Sequence, residues 1–431
     1  MGSPDRPALL RSSTRIVEMA VPARLGGSFR WLLASTVLTN VGDGFALAAG
    51  PLLVASLTRD PLVVSTAFLA QMLPTLVFGM IAGTIADRRD RRRIIVVVNL
   101  GRAAVLAVLA AVIAGGFVTI PMVLAALFLL GTAEAFADVG SESVLPRIVR
   151  REDLGIANAR LQGAYLLANQ LIAPPIGAFL FAVGMAVPFG VDAVCFALGA
   201  VLVSRIVLSA SPAPDRPEGG ILDNLGEGLR WLAGNPPMRT LALTILAFNV
   251  TFGAAWSVLV LYAQERLGMD EVGFGLLTTA MAVGGIVGTS AYGRLERRFS
   301  LGDIMRVGLL VETATHLVLA LTTSAAVALL TFVAFGAHAF IWGTTSTVVR
   351  QRAVPDALLG RVTGVYHMGV VLGIVVGTPI GGLLAREFGI TAPFWFGFVG
   401  SAALVVVLWR QFSYIVHASE VPPGGGEVRP G

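Results

Sequence analysis

The sequence contains no lysine, since all 31 of its basic residues are arginine. A phosphate-binding P-loop and a Schiff-base linkage each need a lysine, so ATP hydrolysis and pyridoxal chemistry by this chain are excluded. The single cysteine, Cys195, can form no disulfide within the chain. The four histidines have no metal-ligand spacing and no catalytic cluster is evident, so we expect no metal, no cofactor and no enzymatic activity.

Charge is scarce as well, because only 13% of the 431 residues are charged whereas 55% are hydrophobic. Soluble domains contain about 25% charged residues, so a soluble fold is excluded. A membrane span needs about 20 apolar residues, and this composition supplies roughly twelve spans. A backbone in lipid must satisfy its own hydrogen bonds, and the apolar runs are too long for the strands of a barrel. We therefore predict an all-α membrane protein.

The apolar runs predict twelve transmembrane helices, numbered here as spans one to twelve. They lie near residues 32–57, 61–85, 94–115, 118–139, 161–183, 187–208, 239–262, 272–292, 303–322, 325–347, 363–385 and 391–409. With residues 1–30 in the cytoplasm, the cytoplasmic segments hold 27 arginines and the outer loops hold three, Arg59, Arg266 and Arg386. This bias predicts a multi-pass membrane protein with both termini cytoplasmic, and it accounts for the basic charge without nucleic acid.

A stretch rich in proline and glycine, residues 209–220, separates two groups of six spans. The predicted parts are an N-terminal half (1–208), a cytoplasmic linker (209–238), a C-terminal half (239–411) and a disordered tail (412–431). Leucines recur every three or four residues between Leu222 and Leu232, which favours an amphipathic helix on the membrane surface over a solvated connector.

The two halves contain short segments of similar sequence at an offset near 205 residues. Pro175-Ile176-Gly177 in span five returns as Pro379-Ile380-Gly381 in span eleven. Duplication is the economical explanation. Two six-helix halves with a cavity between them describe a transporter in which one half rocks against the other.

The strongest local motif, Gly83-Thr84-Ile85-Ala86-Asp87-Arg88-Arg89-Asp90-Arg91-Arg92, ends span two. It resembles the cytoplasmic loop signature of the major facilitator superfamily, Gly-x-x-x-Asp-Arg-x-Gly-Arg-Arg, with Asp90 in place of the loop glycine. The resemblance implies the twelve-helix fold of that superfamily and a latch between the halves. The latch residues would be Gly83, Asp87, Arg88, Arg91 and Arg92. A plain positively charged loop is the alternative.

Span five carries a second motif, Ala173-Pro174-Pro175-Ile176-Gly177, which resembles the Gly-Pro-x-x-Gly-Gly motif of antiporters. Proline frees a backbone carbonyl and small residues allow close packing, so a hinge or tight contact is predicted. The residues are Pro174, Pro175 and Gly177, with Pro379 and Gly381 in span eleven. Packing within ordinary membrane helices is the alternative.

Several further sequence segments are similar to the macrolide-efflux and enterobactin-exporter branch of the superfamily. Among them are Asn40-Val41-Gly42-Asp43-Gly44 and Arg350-Gln351-Arg352. That resemblance implies proton-driven export of a hydrophobic or amphipathic small molecule, such as a drug or a siderophore, across the plasma membrane. An importer or a lipid flippase of the same fold is the alternative, and a membrane sensor or enzyme is a remote one. The implied partners are the substrate, protons and membrane lipids, and the chain is expected to be a monomer.

Charged residues deep in a span cost about 2.5–3.5 kcal/mol each, so they mark functional positions. Asp43, Glu134 and Glu312 lie well inside spans one, four and nine, and Asp192 lies toward the outer end of span six. Arg102, two turns into span three, is a candidate partner for a carboxylate. We predict that Asp43, Glu134, Arg102 and Glu312 couple protons to substrate. A fixed hydrogen bond is the alternative for Asp43, and a lipid-side pair with the following histidine, His316, is the alternative for Glu312.

Aromatic residues on spans seven and ten, which line the cavity in the superfamily, are candidate substrate contacts. They are Phe252, Trp256, Phe340 and Trp342. Aromatic faces attract cations and flat apolar molecules, so these residues could stack on a drug.

Overall fold

The computed structural model describes residues 23–88, 90–208, 221–409 and 411–412, without the side chains of residues 80–88, 138–143 and 221–222. All regular structure in these ranges is helical. The helices are α1 Gly26–Leu57, α2 Pro61–Arg88, α3 Arg91–Ala114, α4 Ile120–Ile148, α5 (Leu154–Ala164, Tyr165–Ile172 and Ala173–Val183 in succession), α6 Val187–Ser204, α7 Ile221–Gly234, α8 Pro236–Trp256, α9 Glu271–Arg298, α10 Leu301–Leu321, α11 Ala325–Ala353, α12 Asp356–Phe388 and α13 Ala392–Leu408.

Eleven helices in the described ranges are long and apolar enough to cross a membrane. A twelfth apolar helix, α13, has 17 residues. The predicted all-α fold with twelve spans is therefore confirmed. We refer to α1–α6 as the N-terminal half and to α8–α13 as the C-terminal half, with α7 between them. Residues 209–220 of the predicted linker and residues 413–431 of the predicted disordered tail (412–431) lie outside the described residues. Phe412, the first residue of that tail, is buried against Trp342.

The seventh span differs from its prediction because α8 ends at Trp256 instead of near residue 262. The hydroxyl of Ser257 donates to the carbonyl of Ala254 (3.0 Å) and to that of Thr378 on α12 (3.3 Å). A serine that hydrogen-bonds backbone carbonyls competes with the helix, and the chain turns here. It then continues through a short helix, Leu259–Leu261, into a wide turn, Tyr262–Arg266.

Glycines set the closest helix contacts in both halves, as expected where lipid supplies no hydrophobic drive for helix association. Gly284 of α9 lies against the backbone of Val333 on α11, and Gly336 of α11 lies against that of Met281. A side chain at either glycine would collide with the facing backbone. The surface helix α7 packs on α12, where the carboxylate of Glu227 lies 2.6 Å from the guanidinium of Arg361.

The contacts between the halves are made mainly by two helix pairs, α2 with α12 and α5 with α9. In the internal repeat α2 corresponds to α9 and α5 to α12, so one pair is the repeat image of the other. We call the face where α1 begins the N-terminal face, and the other face the opposite face.

Candidate functional site

A polar cavity of about 550 Å³ lies in the N-terminal half. It runs from the N-terminal face, where α1 and α3 begin, to the middle of those helices. Its lining residues come from five helices: Leu32, Ser35, Thr36, Thr39, Asn40, Asp43, Ile95, Asn99, Arg102, Glu134, Ala137, Leu145, Asn158, Leu161, Gln162, Tyr165, Asn169 and Val203. The volume falls in the range of small-molecule sites.

Helix α1 supplies one polar face of the cavity. Ser35, Thr39 and Asp43 follow at intervals of four residues, so helical geometry places them in one row. The hydroxyl of Ser35 donates to the carbonyl of Gly199 on α6 at 3.0 Å. The side-chain amide of Asn40 donates to the backbone carbonyl of Thr36 on the same helix at 2.8 Å. These bonds hold the polar row beside α6 within an apolar helix bundle.

Arg102 of α3 forms the centre of the site at the inner end of the cavity. Its Nη2 lies 3.4 Å from Oδ1 of Asp43 and 3.7 Å from Oε2 of Glu134. The guanidinium also lies over the ring of Phe196, 4.7 Å from the centroid. The arginine side chain is 4% exposed, whereas those of Asp43 and Glu134 are 24% and 42% exposed. A buried cation is thus paired with two carboxylates that reach the cavity.

A third carboxylate, Asp192 of α6, is part of the same environment. The sequence placed Asp192 toward the outer end of its span, but it is 1% exposed and interacts electrostatically with Asp43 and Arg102. Its Oδ1 has no hydrogen-bond partner in the described residues and lies against Gly42, where a side chain would collide with it. One guanidinium neutralises one carboxylate, so the cluster carries surplus negative charge unless protons are bound.

The irregular middle of α5 supplies two further lining residues, Tyr165 and Asn169. The segment Tyr165–Ile172 has π-helical hydrogen bonds, which widen the helix by one residue per turn. Pro174 and Pro175 cannot donate to the carbonyls four residues earlier, and this explains why the regular ladder breaks just before them. π segments are frequent at functional sites.

The predicted proline motif lies at a contact between the halves. The carbonyl of Leu171, which the ring nitrogen of Pro175 cannot serve, accepts a hydrogen bond from the hydroxyl of Thr279 on α9 at 3.1 Å. A Cβ added at Gly275 of α9 would lie 2.9 Å from the Cα of Pro175. Gly177 instead packs on Phe45 of α1. Pro174 and Pro175 therefore make the tight interface contact, whereas Gly177 packs within its own half.

The repeat copy of this motif on α12 behaves in the same way. Gly381 lies against the backbone of Ala254 on α8, inside the C-terminal half. Its neighbour Gly382 lies against Ser65 of α2, in the other half. Pro379 is an interior residue of α12.

Two polar side-chain contacts between the halves lie at the opposite face. Nη1 of Arg59 is 2.5 Å from Oε1 of Gln264, and Nη1 of Arg386 is 3.7 Å from Oδ2 of Asp60. Together with the proline and glycine contacts, these interactions hold the halves together at the opposite face. The polar cavity extends toward the N-terminal face.

The predicted cavity aromatics are divided between two places. Phe252 and Trp256 stack at 5.0 Å and line a small apolar pocket of about 20 Å³ inside the C-terminal half. Phe340 packs against Gly285 of α9, and Trp342 is buried 5.1 Å from the ring of Phe248. All four residues are absent from the lining of the polar cavity. In this conformation their rings pack between helices of the C-terminal half, and contact of these residues with substrate stays a prediction.

Glu312 lies apart from the polar cavity, in the C-terminal half. It is 4% exposed, so the lipid-side placement is wrong. Its oxygens contact His316 on the same helix (3.2 Å) and His338 on α11 (3.3 Å). Sequence spacing indicated the first contact, since residues four apart share a helix face. The contact with His338 depends on the packing of α10 on α11, which no local sequence pattern predicts.

The latch residues are described only in part. The side chains of Gly83, Asp87 and Arg88 lie outside the described residues. Arg92 donates to the carbonyl of Ile206 at 3.0 Å, which ties α3 to the end of α6. Arg91 begins α3. The latch stays a prediction.

Asp90, which replaces the loop glycine of the signature, has a clear local role. Its Oδ1 accepts from the backbone N–H of Arg92 at 3.0 Å and from that of Arg93 at 3.4 Å. These bonds make Asp90 the N-cap of α3, where an aspartate satisfies N–H groups that have no partner in the helix.

Comparisons with known proteins agree with this geometry. Residues 21–422 match the family described as transmembrane secretion effector. The chain is 28% identical over 384 residues to the multidrug efflux pump Tap of Mycolicibacterium fortuitum, covering 85% of this chain and 91% of Tap. It is 25% identical over 402 residues to the enterobactin exporter EntS of Escherichia coli, covering 92% of this chain and 94% of EntS.

Solved structures show the same fold at low sequence identity. A bacterial homologue of the iron transporter ferroportin, in the inward-facing state, matches with a TM-score of 0.69 at 19% identity, covering 90% of this chain and 98% of the other. The nucleoside transporter NupG matches with a TM-score of 0.71 at 12% identity, covering 90% and 99%.

Proposed function

Because the chain belongs to the transmembrane secretion effector family of major facilitator transporters, we propose that it is a proton-coupled antiporter that exports hydrophobic or amphipathic small molecules. Tap is named for multidrug efflux and EntS for enterobactin export, and both names support export over import. The protein would lie in the plasma membrane with its N-terminal face toward the cytoplasm, which agrees with the arginine bias.

The observation that carries this proposal is the cluster around Arg102 at the inner end of the polar cavity. Asp43 and Glu134 share one guanidinium and both face the cavity. A proton that binds to Asp43 would weaken its ion pair with Arg102, so that the guanidinium could interact more strongly with Glu134 or with the substrate. Proton binding and substrate binding would then change the same set of contacts, which is what coupling requires.

The driving force is adequate for export. One proton that moves down 100 mV supplies about 2.3 kcal/mol, which corresponds to a roughly fifty-fold concentration ratio for a neutral substrate exchanged one for one. A pH gradient adds to this value.

The test is accumulation of dyes, macrolides and siderophores in a host that lacks its own pumps. Cells that express the protein should retain several-fold less of at least one compound than cells that express Asp43→Asn. Asp356→Asn, which removes a carboxylate at the first turn of α12, serves as the matched control and should behave as the wild type. Greater retention with the active protein would indicate an importer, and redistribution of labelled lipid alone would indicate a flippase.

A further inference from the structure

The C-terminal half contains a buried cluster of three ionisable side chains that the proposed coupling site does not use. Oε1 of Glu312 lies 3.2 Å from Nε2 of His316, and Oε2 lies 3.3 Å from Nε2 of His338. All three side chains are at most 7% exposed. The cluster belongs to α10 and α11 and shares no residue with the polar cavity.

The contacts determine where hydrogen atoms lie when Glu312 is charged. An ionised carboxylate only accepts hydrogen bonds, so both Nε2 atoms must carry hydrogen when Glu312 is charged. Two neutral rings then leave both Nδ1 atoms without hydrogen and the cluster at a net charge of −1. One added proton on either Nδ1 makes that ring an imidazolium and brings the net charge to zero. A buried site favours the neutral total.

Both Nδ1 atoms are buried and have no hydrogen-bond partner in the described residues. Each ring lies against a glycine, His316 against Gly397 of α13 and His338 against Gly308 of α10. The missing side chains of these glycines create the space that the rings fill. An apolar pocket of about 20 Å³ borders the ring of His316.

Other ionisable groups on the surrounding helices lie toward the helix ends. They are Asp303 and Arg306 on α10, Arg239 on α8, Glu271, Tyr292, Arg294, Glu296, Arg297 and Arg298 on α9, Arg350 and Arg352 on α11, while α13 has none. None of them forms an ion pair with the cluster among the described residues. The charge of the cluster is therefore balanced only by its own protons.

The cluster has a counterpart in the internal repeat. In the N-terminal half, α3 and α4 are joined by the pair of Arg102 with Glu134. The equivalent helices α10 and α11 are joined by Glu312 with His338. The basic partner in the N-terminal half is Arg102, which is always charged, whereas the basic partner in the C-terminal half is an imidazole. An imidazole can gain or lose its charge, and a guanidinium cannot.

We propose that Glu312, His316 and His338 form a second proton-binding site, which holds one exchangeable proton within the C-terminal half. The site exists independently of any substrate, whereas its use in transport rests on the proposed export function. Protonation would change the packing of α10 on α11 and α13, the helices that meet at the two rings.

The chain has four histidines, so imidazole ¹⁵N NMR on ¹⁵N-histidine-labelled protein in lipid nanodiscs can test this directly. The variant His367→Gln/His417→Gln leaves only the two cluster rings. We expect one ring equivalent to pass from charged to neutral as the pH is raised. In the Glu312→Gln background the ratio of charged to neutral ring at pH 6 should fall by roughly tenfold or more, which corresponds to a pKa lowered by at least one unit. Glu296→Gln removes a carboxylate outside the cluster and should leave the titration unchanged.

Two results would overturn the proposal. Both rings could keep one charge state from pH 4.5 to 9, which would make the cluster a fixed hydrogen-bonded group. Alternatively, the titration could be the same with and without Glu312. The titration of the His367→Gln/His417→Gln variant keeps Glu312, so it remains a test even if Glu312→Gln fails to fold. No substrate is added, so failure of the export proposal would leave this result interpretable.

Discussion

Arg102 is the most constrained residue of the N-terminal half, because a buried guanidinium is tolerated only with partners. Its partners are Asp43, Glu134 and the face of Phe196. Each contact stabilises part of the positive charge. The guanidinium is not held tightly by either carboxylate, because the distances of 3.4 Å to Asp43 and 3.7 Å to Glu134 are long for a fixed ion pair. Such a shared cation can favour either carboxylate at low cost, which suits a site that must gain and lose a proton.

We expect Asp43→Asn to separate coupling from transport. The amide keeps the shape of the side chain and removes its titration, so movement of substrate down its own gradient should stay within a few-fold of the wild type while proton-driven accumulation is lost. Efflux and pH-driven uptake in proteoliposomes measure the two quantities separately. If the variant still builds a gradient with an unchanged pH dependence, Asp43 is a structural hydrogen-bonding residue and Glu134→Gln becomes the next variant to examine.

Gly42→Ala should disrupt the site through Asp192. The added methyl group would collide with Oδ1 of Asp192 and lie 3.3 Å from the ring of Phe196. Overpacking of this kind costs about 1–3 kcal/mol, so thermal stability in detergent should fall. Gly79→Ala on α2, where an added Cβ meets nothing within 4 Å, is the control and should leave stability nearly unchanged. Equal stability of the two variants would contradict the contact between α1 and α6.

At the scale of the helix, α5 links the cavity to the other half of the protein. The prolines break the α-helical ladder, the π segment that precedes them carries Tyr165 and Asn169 into the cavity, and the carbonyl of Leu171 is satisfied by Thr279. Movement between the halves must break that hydrogen bond. The same sequence feature therefore shapes the binding surface and stabilises closure at the opposite face.

Thr279→Val should weaken that closure. The valine is nearly isosteric but leaves the Leu171 carbonyl without its donor, a loss of about 1 kcal/mol or roughly a fivefold change in the equilibrium between the two conformations. Crosslinking between Arg59→Cys and Gln264→Cys in a Cys195→Ala background should fall accordingly, because Arg59 and Gln264 contact each other in the closed state. Thr278→Val is the control, since that hydroxyl bonds only its own helix at Gly275. A similar loss for both variants would show a general destabilisation of α9 instead.

The sequence predicted helices well and contacts between helices poorly. Long apolar runs determine where a helix must cross the membrane, so each predicted span corresponds to one helix. The ends differ: α4 continues nine residues beyond the predicted end of span four, to Ile148, and α8 ends six residues early, before Ser257. Depth along a helix also predicted that Asp43, Arg102 and Glu134 would lie well inside their spans, and the three side chains line the polar cavity together. Rotation about the helix axis was not predictable in a helix that is apolar on all sides, and so the burial of Asp192 and the approach of His338 to Glu312 required the structure.

For the whole molecule, the main feature is asymmetry between its two faces. The halves meet at the opposite face through Arg59 with Gln264, Asp60 with Arg386 and the proline contacts of α5, whereas the polar cavity leads to the N-terminal face. If the N-terminal face lies in the cytoplasm, as we propose, this conformation would load substrate from inside. The proposed export would then require the contacts at the opposite face to open.

The orientation itself is testable with single cysteines in the Cys195→Ala background. Phe117→Cys lies in the turn after α3 at the opposite face, and Arg93→Cys lies at the start of α3; both native side chains are largely exposed. On intact cells an impermeant maleimide should label position 117 and leave position 93 unlabelled until the membrane is permeabilised. The reverse pattern would contradict a cytoplasmic N-terminal face.

The most direct test of proton-coupled export uses inside-out membrane vesicles with an acidic lumen and a fluorescent pH probe inside. The compound is one that the accumulation assay identified. Its addition should raise the pH of the lumen while the compound accumulates there, and a protonophore should abolish both changes. Proton release should be lost in Asp43→Asn. Accumulation that is unaffected by the protonophore, or a luminal pH that does not respond to the compound, would contradict the account.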